Sequence, residues 1–145
     1  MAEPLHPYCR CLFYSANALA RGVTRLAEEA FAPSGLAPSL AFVLMSVNRH
    51  PGIQPKELAR IMMLHPSTVT RLLEKLEGRG LLRRRSEGKA VFVHPSAAGK
   101  KVYPALQAAW RHTYARYVRV LGESVARDLT EGTYSAAVAL ETTSA

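Results

Sequence analysis

Over residues 8–30, Leu12, Ala16, Leu19, Val23, Leu26 and Ala30 recur at spacings of three and four, and Phe13, Ala20 and Ala27 widen the stripe. That period predicts an amphipathic helix. The turn-forming stretch APSGLA follows over residues 32–37. Pro38 then opens a second helix reaching about residue 49. Its interior, LAFVLMSV, is apolar on every side, which predicts burial. His50-Pro51-Gly52 ends it. A short third helix is predicted over 55–63, with Pro55 in its first turn and Leu58, Ile61 and Met62 as its apolar face. A fourth spans 66–79. There Val69, Leu72, Leu73 and Leu76 fall in one narrow arc, while Ser67, Thr70, Arg71, Glu74 and Lys75 lie mainly outside it, with Thr68 on the flank.

The pattern then changes period. Residues 81–85 and 90–94 read as a β-hairpin about Ser86-Glu87-Gly88-Lys89, with Val91-Phe92-Val93 supplying strand propensity. A long helix is predicted over 97–121, capped by Ser96, with Pro104 near its start or kinking it. A last helix covers 123–140, anchored by Leu129 and Val138 and weakened by Gly132, and the tail ETTSA is expected to fray. The expected fold is thus mainly α, six helices with one small β-hairpin.

Charge alters the picture because of where it sits. The chain of 145 residues carries a formal net charge of +8. Residues 54–101 hold eleven basic and four acidic residues, whereas the remainder holds eight and seven. A basic segment of that kind suits a polyanionic partner, and phosphate binding is its natural use. A solubility surface would more often be acidic and spread along the chain. No uninterrupted apolar run approaches the roughly 20 residues of a membrane span, and the N-terminus does not read as a secretory signal. With only two cysteines, separated by a single residue, a reducing, cytoplasmic setting is expected.

A short helix, a tight turn, a second helix and a basic hairpin make a winged helix-turn-helix arrangement. A helix fits the major groove of duplex DNA and presents its N-terminal residues to base edges. The adjoining hairpin can place a cation in the minor groove or on flanking phosphates. The fourth helix is divided for that task, with an aliphatic back and a front of Ser, Thr, Arg and Lys. Arg71, on the polar face, is the foremost DNA-binding candidate; a surface ion pair with Glu74 is the bland alternative. Ser67, Thr68 and Thr70 are candidates for phosphate or base contacts, although first-turn capping equally explains Ser67 and Thr68. His65 stands at the N-cap position. Lys75 and Lys89 are assigned to phosphates. Arg83, Arg84 and Arg85 are candidates on the wing, but they alternate across a strand and cannot all face one side.

The run QPKELARIMMLHPSTVTRLLEKLEGRGLLRRR resembles the central segment of the MarR family of bacterial transcription regulators. Leu58-Ala59, Ser67-Thr68-Val69-Thr70-Arg71, Leu76-Glu77, Gly80-Leu81-Leu82 and Arg84 follow the family pattern. His94-Pro95-Ser96-Ala97-Ala98-Gly99-Lys100 resembles the family's entry into its fifth helix. The resemblance implies one MarR-like domain over 1–145, with a DNA-binding lobe over 38–95. It further implies dimerisation helices over 8–30 and 97–140, so that a homodimer sets two recognition helices about 34 Å apart on a pseudo-palindromic operator. Tyr103, Leu106, Trp110, Tyr114, Tyr117, Val118 and Leu121 are candidates for that buried surface. The family's wing carries an Asp-x-Arg pair; here Lys89 stands in place of the Arg, without the Asp, and a lysine lacks the planar fork of Arg.

The resemblance also implies a small aromatic or amphipathic ligand, for which Tyr14, Arg21 and Trp110 are candidates. The implied function is a ligand-responsive repressor. Two other readings stand beside it. Cys9 and Cys11 offer a thiol-based peroxide switch, although two residues apart on a helix they point about 200° from each other and do not readily pair. Alternatively, the winged helix is a protein–protein module without DNA binding. No metal cluster, phosphate loop or nucleophile motif is present in the sequence, so neither an enzyme nor a cofactor is expected.

Overall fold

The computed structural model describes residues 7–143. Their order is α1 (Leu12–Phe31), α2 (Pro38–Arg49), α3 (Pro55–Met62), α4 (Pro66–Gly78), β1 (Leu82–Glu87), β2 (Ala90–Pro95), α5 (Ala97–Leu121) and α6 (Glu123–Thr143), with a 3₁₀ turn at Ala32–Ser34. The chain divides into two compact units. One is Ala27–Trp110; the other comprises the described residues on either side, 7–26 and 111–143. The division falls within α1 and within α5.

The first unit, the lobe, has a continuous apolar core. Phe31, Ala41, Val43, Leu44 and Val47 meet Leu58 of α3, Val69, Leu73 and Leu76 of α4, Leu82 and Val93 of the hairpin and Leu106 of α5, all with almost no exposure. Each large aliphatic side chain so buried contributes about 2 kcal/mol. The all-round apolar α2 is buried as its sequence predicts. So is the narrow arc of α4: Val69, Leu72, Leu73 and Leu76. On α3 the buried face is Leu58 and Ala59 with Met62 half-buried, while Ile61 is 51% exposed. At about 100° per residue, Ile61 falls roughly 60° beyond the edge of the arc that the other three span. It lines a shallow open dish with His50, Pro51, Gly52, Ile53 and Glu57.

The turn between α3 and α4 depends on a non-glycine residue in the left-handed region. Met63 closes α3 at φ 52° and ψ 44°, and its N–H bonds back to Arg60 O at 3.3 Å. An L-residue there carries a cost of about 1–2 kcal/mol. Met63→Gly is therefore expected to stabilise the lobe by up to about 1 kcal/mol after glycine's greater chain entropy is subtracted, read as a higher urea midpoint at unchanged slope.

The hairpin pairs Leu82 with Pro95 through Glu87 with Ala90, so Gly88 and Lys89 alone form the turn. Gly88 takes φ 62°, which is the reason a glycine stands there. A third short partner joins the sheet: Ile53 bridges Val93, with Val93 N donating to Ile53 O at 2.9 Å and Gly52 N to Val93 O at 2.8 Å. The α2–α3 loop thereby fixes the base of the wing.

At the start of α5, Ser96 Oγ accepts from Gly99 N at 3.1 Å and donates to Gly80 O at 2.6 Å. The helix continues through Pro104. At its other end, Gly122, at φ 85°, separates α5 from α6. Two helix ends differ from the sequence expectation by more than one residue. Helix α1 begins at Leu12 rather than Tyr8; residues 7–10 form a turn, with Cys11 N bonded to Tyr8 O at 2.8 Å. Pro7, which immediately precedes Tyr8, has no side-chain acceptor to cap a helix there. The second difference is at the C-terminus, where α6 reaches Thr143 instead of fraying from residue 141. The Thr142 and Thr143 hydroxyls bond back to carbonyls of Val138 and Ala139.

The second unit is of a different kind. Among its described residues only Thr113 and Ala126 are buried. Leu12, Phe13, Val120, Val125, Tyr134 and Leu140 are exposed, Phe13 by 79%. Tyr114 and Tyr117 pack edge to face with centroids 5.4 Å apart. Among the described residues no single helix is long and apolar enough to cross a membrane.

Candidate nucleic-acid interface

Helix α4 is held by its back and leaves its front free. Arg71, Lys75, Ser67 and Thr70 are exposed and Thr68 is half-buried. Among the described residues no ion pair engages Arg71 or Lys75, so the alternative pairing of Arg71 with Glu74 does not form. The Thr70 hydroxyl donates to Pro66 O at 3.0 Å, leaving its oxygen lone pairs outward. His65 is the N-cap: its Nδ1 accepts from Ser67 N at 3.1 Å and lies 2.7 Å from Ser67 Oγ. Its place before Pro66 marks His65 as a cap in the sequence, but nothing there marks its grip on the Ser67 hydroxyl.

The wing separates its three arginines by register. Arg83 and Arg85 are exposed on one side of β1, opposite His94 and Phe92. Arg84, half-buried on the other side, is redirected from the DNA-binding set. Its Nη2 donates to Glu77 Oε1 at 2.9 Å and its Nε to the same oxygen at 3.2 Å, while its backbone N–H donates to Glu77 Oε2 at 3.0 Å. This triple contact ties the wing to α4. The hydrogen bonds from the Arg84 side chain hold the Glu77 carboxyl below its ordinary pKa, and the backbone bond adds to that. Because the folded value lies below the unfolded one, the tie contributes fully above the unfolded pKa and is lost as pH falls through the lowered value. Glu77→Ala is expected to cost about 1–2 kcal/mol, measured by denaturant unfolding at neutral pH, with the difference from the parent protein closing in acid.

Lys89 is exposed at the tip, and Arg85 makes only a loose 3.8 Å contact with Glu87. Arg79 donates from Nη2 to Gly35 O at 2.9 Å, clamping the end of α4 to the loop before α2. A long-range arginine–carbonyl contact of this sort leaves no signal in the sequence pattern.

The candidates for ligand and redox chemistry fall elsewhere. Trp110 belongs to the lobe, edge-on to Phe42 at 5.9 Å, with the Arg49 guanidinium 6.0 Å above its ring. Tyr14 and Arg21 belong to the second unit, where Tyr14 stacks at a tilt on Tyr8 with centroids 5.9 Å apart. Cys9 and Cys11 are free and exposed in the turn before α1, so the helical angle expected between them does not apply. Among the described residues no group of three or more His, Cys, Asp or Glu is placed to hold a metal ion.

A helix-turn-helix with an aliphatic back, an unpaired cationic front and a basic hairpin tied to it defines a winged helix-turn-helix protein. Within that class, the model of the MarR family matches residues 36–87. The uncharacterised HTH-type transcriptional regulator YybA of Bacillus subtilis (strain 168) is 26% identical over 98 residues, which is 66% of this chain and 65% of that protein. The fold is also that of CouR from Rhodococcus jostii RHA1, solved bound to p-coumaroyl-CoA: TM-score 0.74 at 21% identity, covering 87% of this chain and 91% of that one. A MarR-family regulator from Listeria monocytogenes, solved with a 26mer DNA, aligns with TM-score 0.70 at 20% identity, covering 86% and 85%.

Proposed function

We propose that the protein is a transcription regulator that binds a pseudo-palindromic operator as a homodimer and acts as a ligand-responsive repressor. The observation that carries this reading is the exposed, unpaired Arg71–Lys75 front of α4 beside the basic wing, on a lobe matching the MarR model. Arg71 reads base edges in the major groove, with Ser67, Thr68 and Thr70 beside it. Lys75, Arg83, Arg85 and Lys89 meet phosphates. The DNA-bound Listeria relative supports the class of partner.

The homodimer is supported by the second unit. Helices that leave Phe13, Val120, Tyr134 and Leu140 in water need a further apolar surface, and a second copy of this chain supplies the same one by symmetry. The p-coumaroyl-CoA in CouR supports a small-molecule effector, and Tyr14, Arg21 and Trp110 are the candidate contacts. Such an effector acts by binding one spacing of the two lobes better than the other.

Binding of the purified protein to its own upstream DNA and to scrambled DNA, across a salt series, tests the reading. The expected result is tighter binding to the upstream duplex and a steep fall in affinity with salt, about one unit of log–log slope per phosphate neutralised. Equal, weak binding to both duplexes would remove it. Sedimentation at micromolar concentration is expected to give a dimer.

A further inference from the structure

The His65–Ser67 contact fixes more than a helix end. A backbone N–H can only donate, so the His65 Nδ1 that faces Ser67 N at 3.1 Å is an unprotonated acceptor. The same Nδ1 lies 2.7 Å from Ser67 Oγ, so there the hydroxyl must be the donor. Its proton is thereby turned toward the imidazole. Ser67 Oγ, exposed in the first turn of α4, faces outward with lone pairs only.

We infer that His65 sets the hydrogen-bonding sense of Ser67, making it an acceptor that selects bases with an exocyclic amino group, adenine or cytosine, in the major groove. The inference rests on the operator-binding reading above. In the major groove adenine N6 and cytosine N4 donate, whereas guanine and thymine offer acceptors at O6, N7 and O4. His65 is a positioning residue, acting through Ser67.

The test is selection from a randomised duplex library with the full chain at pH 8. The proteins compared are the parent, Ser67→Ala, His65→Ala and His65→Asn. At pH 8 the parent is expected to enrich adenine or cytosine at one position of each half-site by about 3–10-fold, the scale of one hydrogen bond. Ser67→Ala and His65→Ala lose that preference. Asn is a strong N-cap whose side-chain oxygen accepts from the same backbone N–H, so His65→Asn restores it. A motif in which no position depends on Ser67, or whose Ser67-dependent position ignores His65→Ala, would overturn the inference and leave the operator reading intact. Enrichment of no motif by the parent would overturn both.

Discussion

Arg71→Ala is expected to lower affinity for the specific duplex by two to three orders of magnitude while leaving the unfolding midpoint almost unchanged. A bidentate arginine contact to a base edge is worth about 1–3 kcal/mol, and a homodimer would lose two. The side chain is exposed and engages no ion pair among the described residues, so its removal costs the fold little. The loss should fall on the specific duplex far more than on scrambled DNA. Lys75→Ala provides the contrast. Removing a phosphate ligand weakens binding to all sequences alike and lowers the salt slope by about one unit for each phosphate no longer neutralised. If Arg71→Ala behaved like Lys75→Ala, Arg71 would be a phosphate ligand, and the reading of α4 as the base-reading helix would fail.

Gly99→Ala is expected to destabilise the lobe by about 3 kcal/mol, a fall in midpoint of roughly 10 °C for a chain this size. Helix propensity alone predicts the opposite sign, since alanine is favoured over glycine by about 1 kcal/mol inside a helix. Packing decides. A Cβ at Gly99 would clash with the backbone oxygen of Leu81 and stand 3.3 Å from Leu44 Cδ1. Leu81 O is backbone and already accepts from Ser96 N at 3.1 Å, while Gly99 O accepts from Asn48 Nδ2 at 3.2 Å. Neither neighbour can move without pulling α5 away from the α4–β1 junction. Gly78→Ala is the control: it lies at the end of α4, with nothing within 4 Å of its would-be Cβ. That substitution should be neutral or slightly stabilising, measured by the same thermal unfolding.

Gly99 also shows where the sequence is legible and where it is not. Its place in Ser96-Ala97-Ala98-Gly99 marks a recurrent motif, but the reason for it, a carbonyl from residue 81 pressed on the helix, appears only in three dimensions. Elements with strong periodicity are readable directly. Both Pro-initiated helices α2 and α4, the buried arc of Val69, Leu72, Leu73 and Leu76, and the whole span of α5 follow from spacing and caps. Three arginines in a row are readable only as an alternation. That Arg84 turns inward to Glu77 requires knowing that β1 runs past the end of α4. Ile61 departs from its expected place on the apolar face because an eight-residue helix offers too few positions to fix the centre of that face. The turn over residues 7–10 carries an apolar pattern continuous with α1 but no cap to start it, and periodicity cannot detect that.

The most direct test of the central claim is a guanine-methylation interference footprint of the wild-type protein on its own upstream DNA. A homodimer with two exposed α4 helices predicts two major-groove patches of interference centred about one helical turn, roughly 10 base pairs, apart. The same patches should vanish with Arg71→Ala and persist with Lys75→Ala. A single patch, or retention that is indifferent to methylation at every guanine, would contradict it.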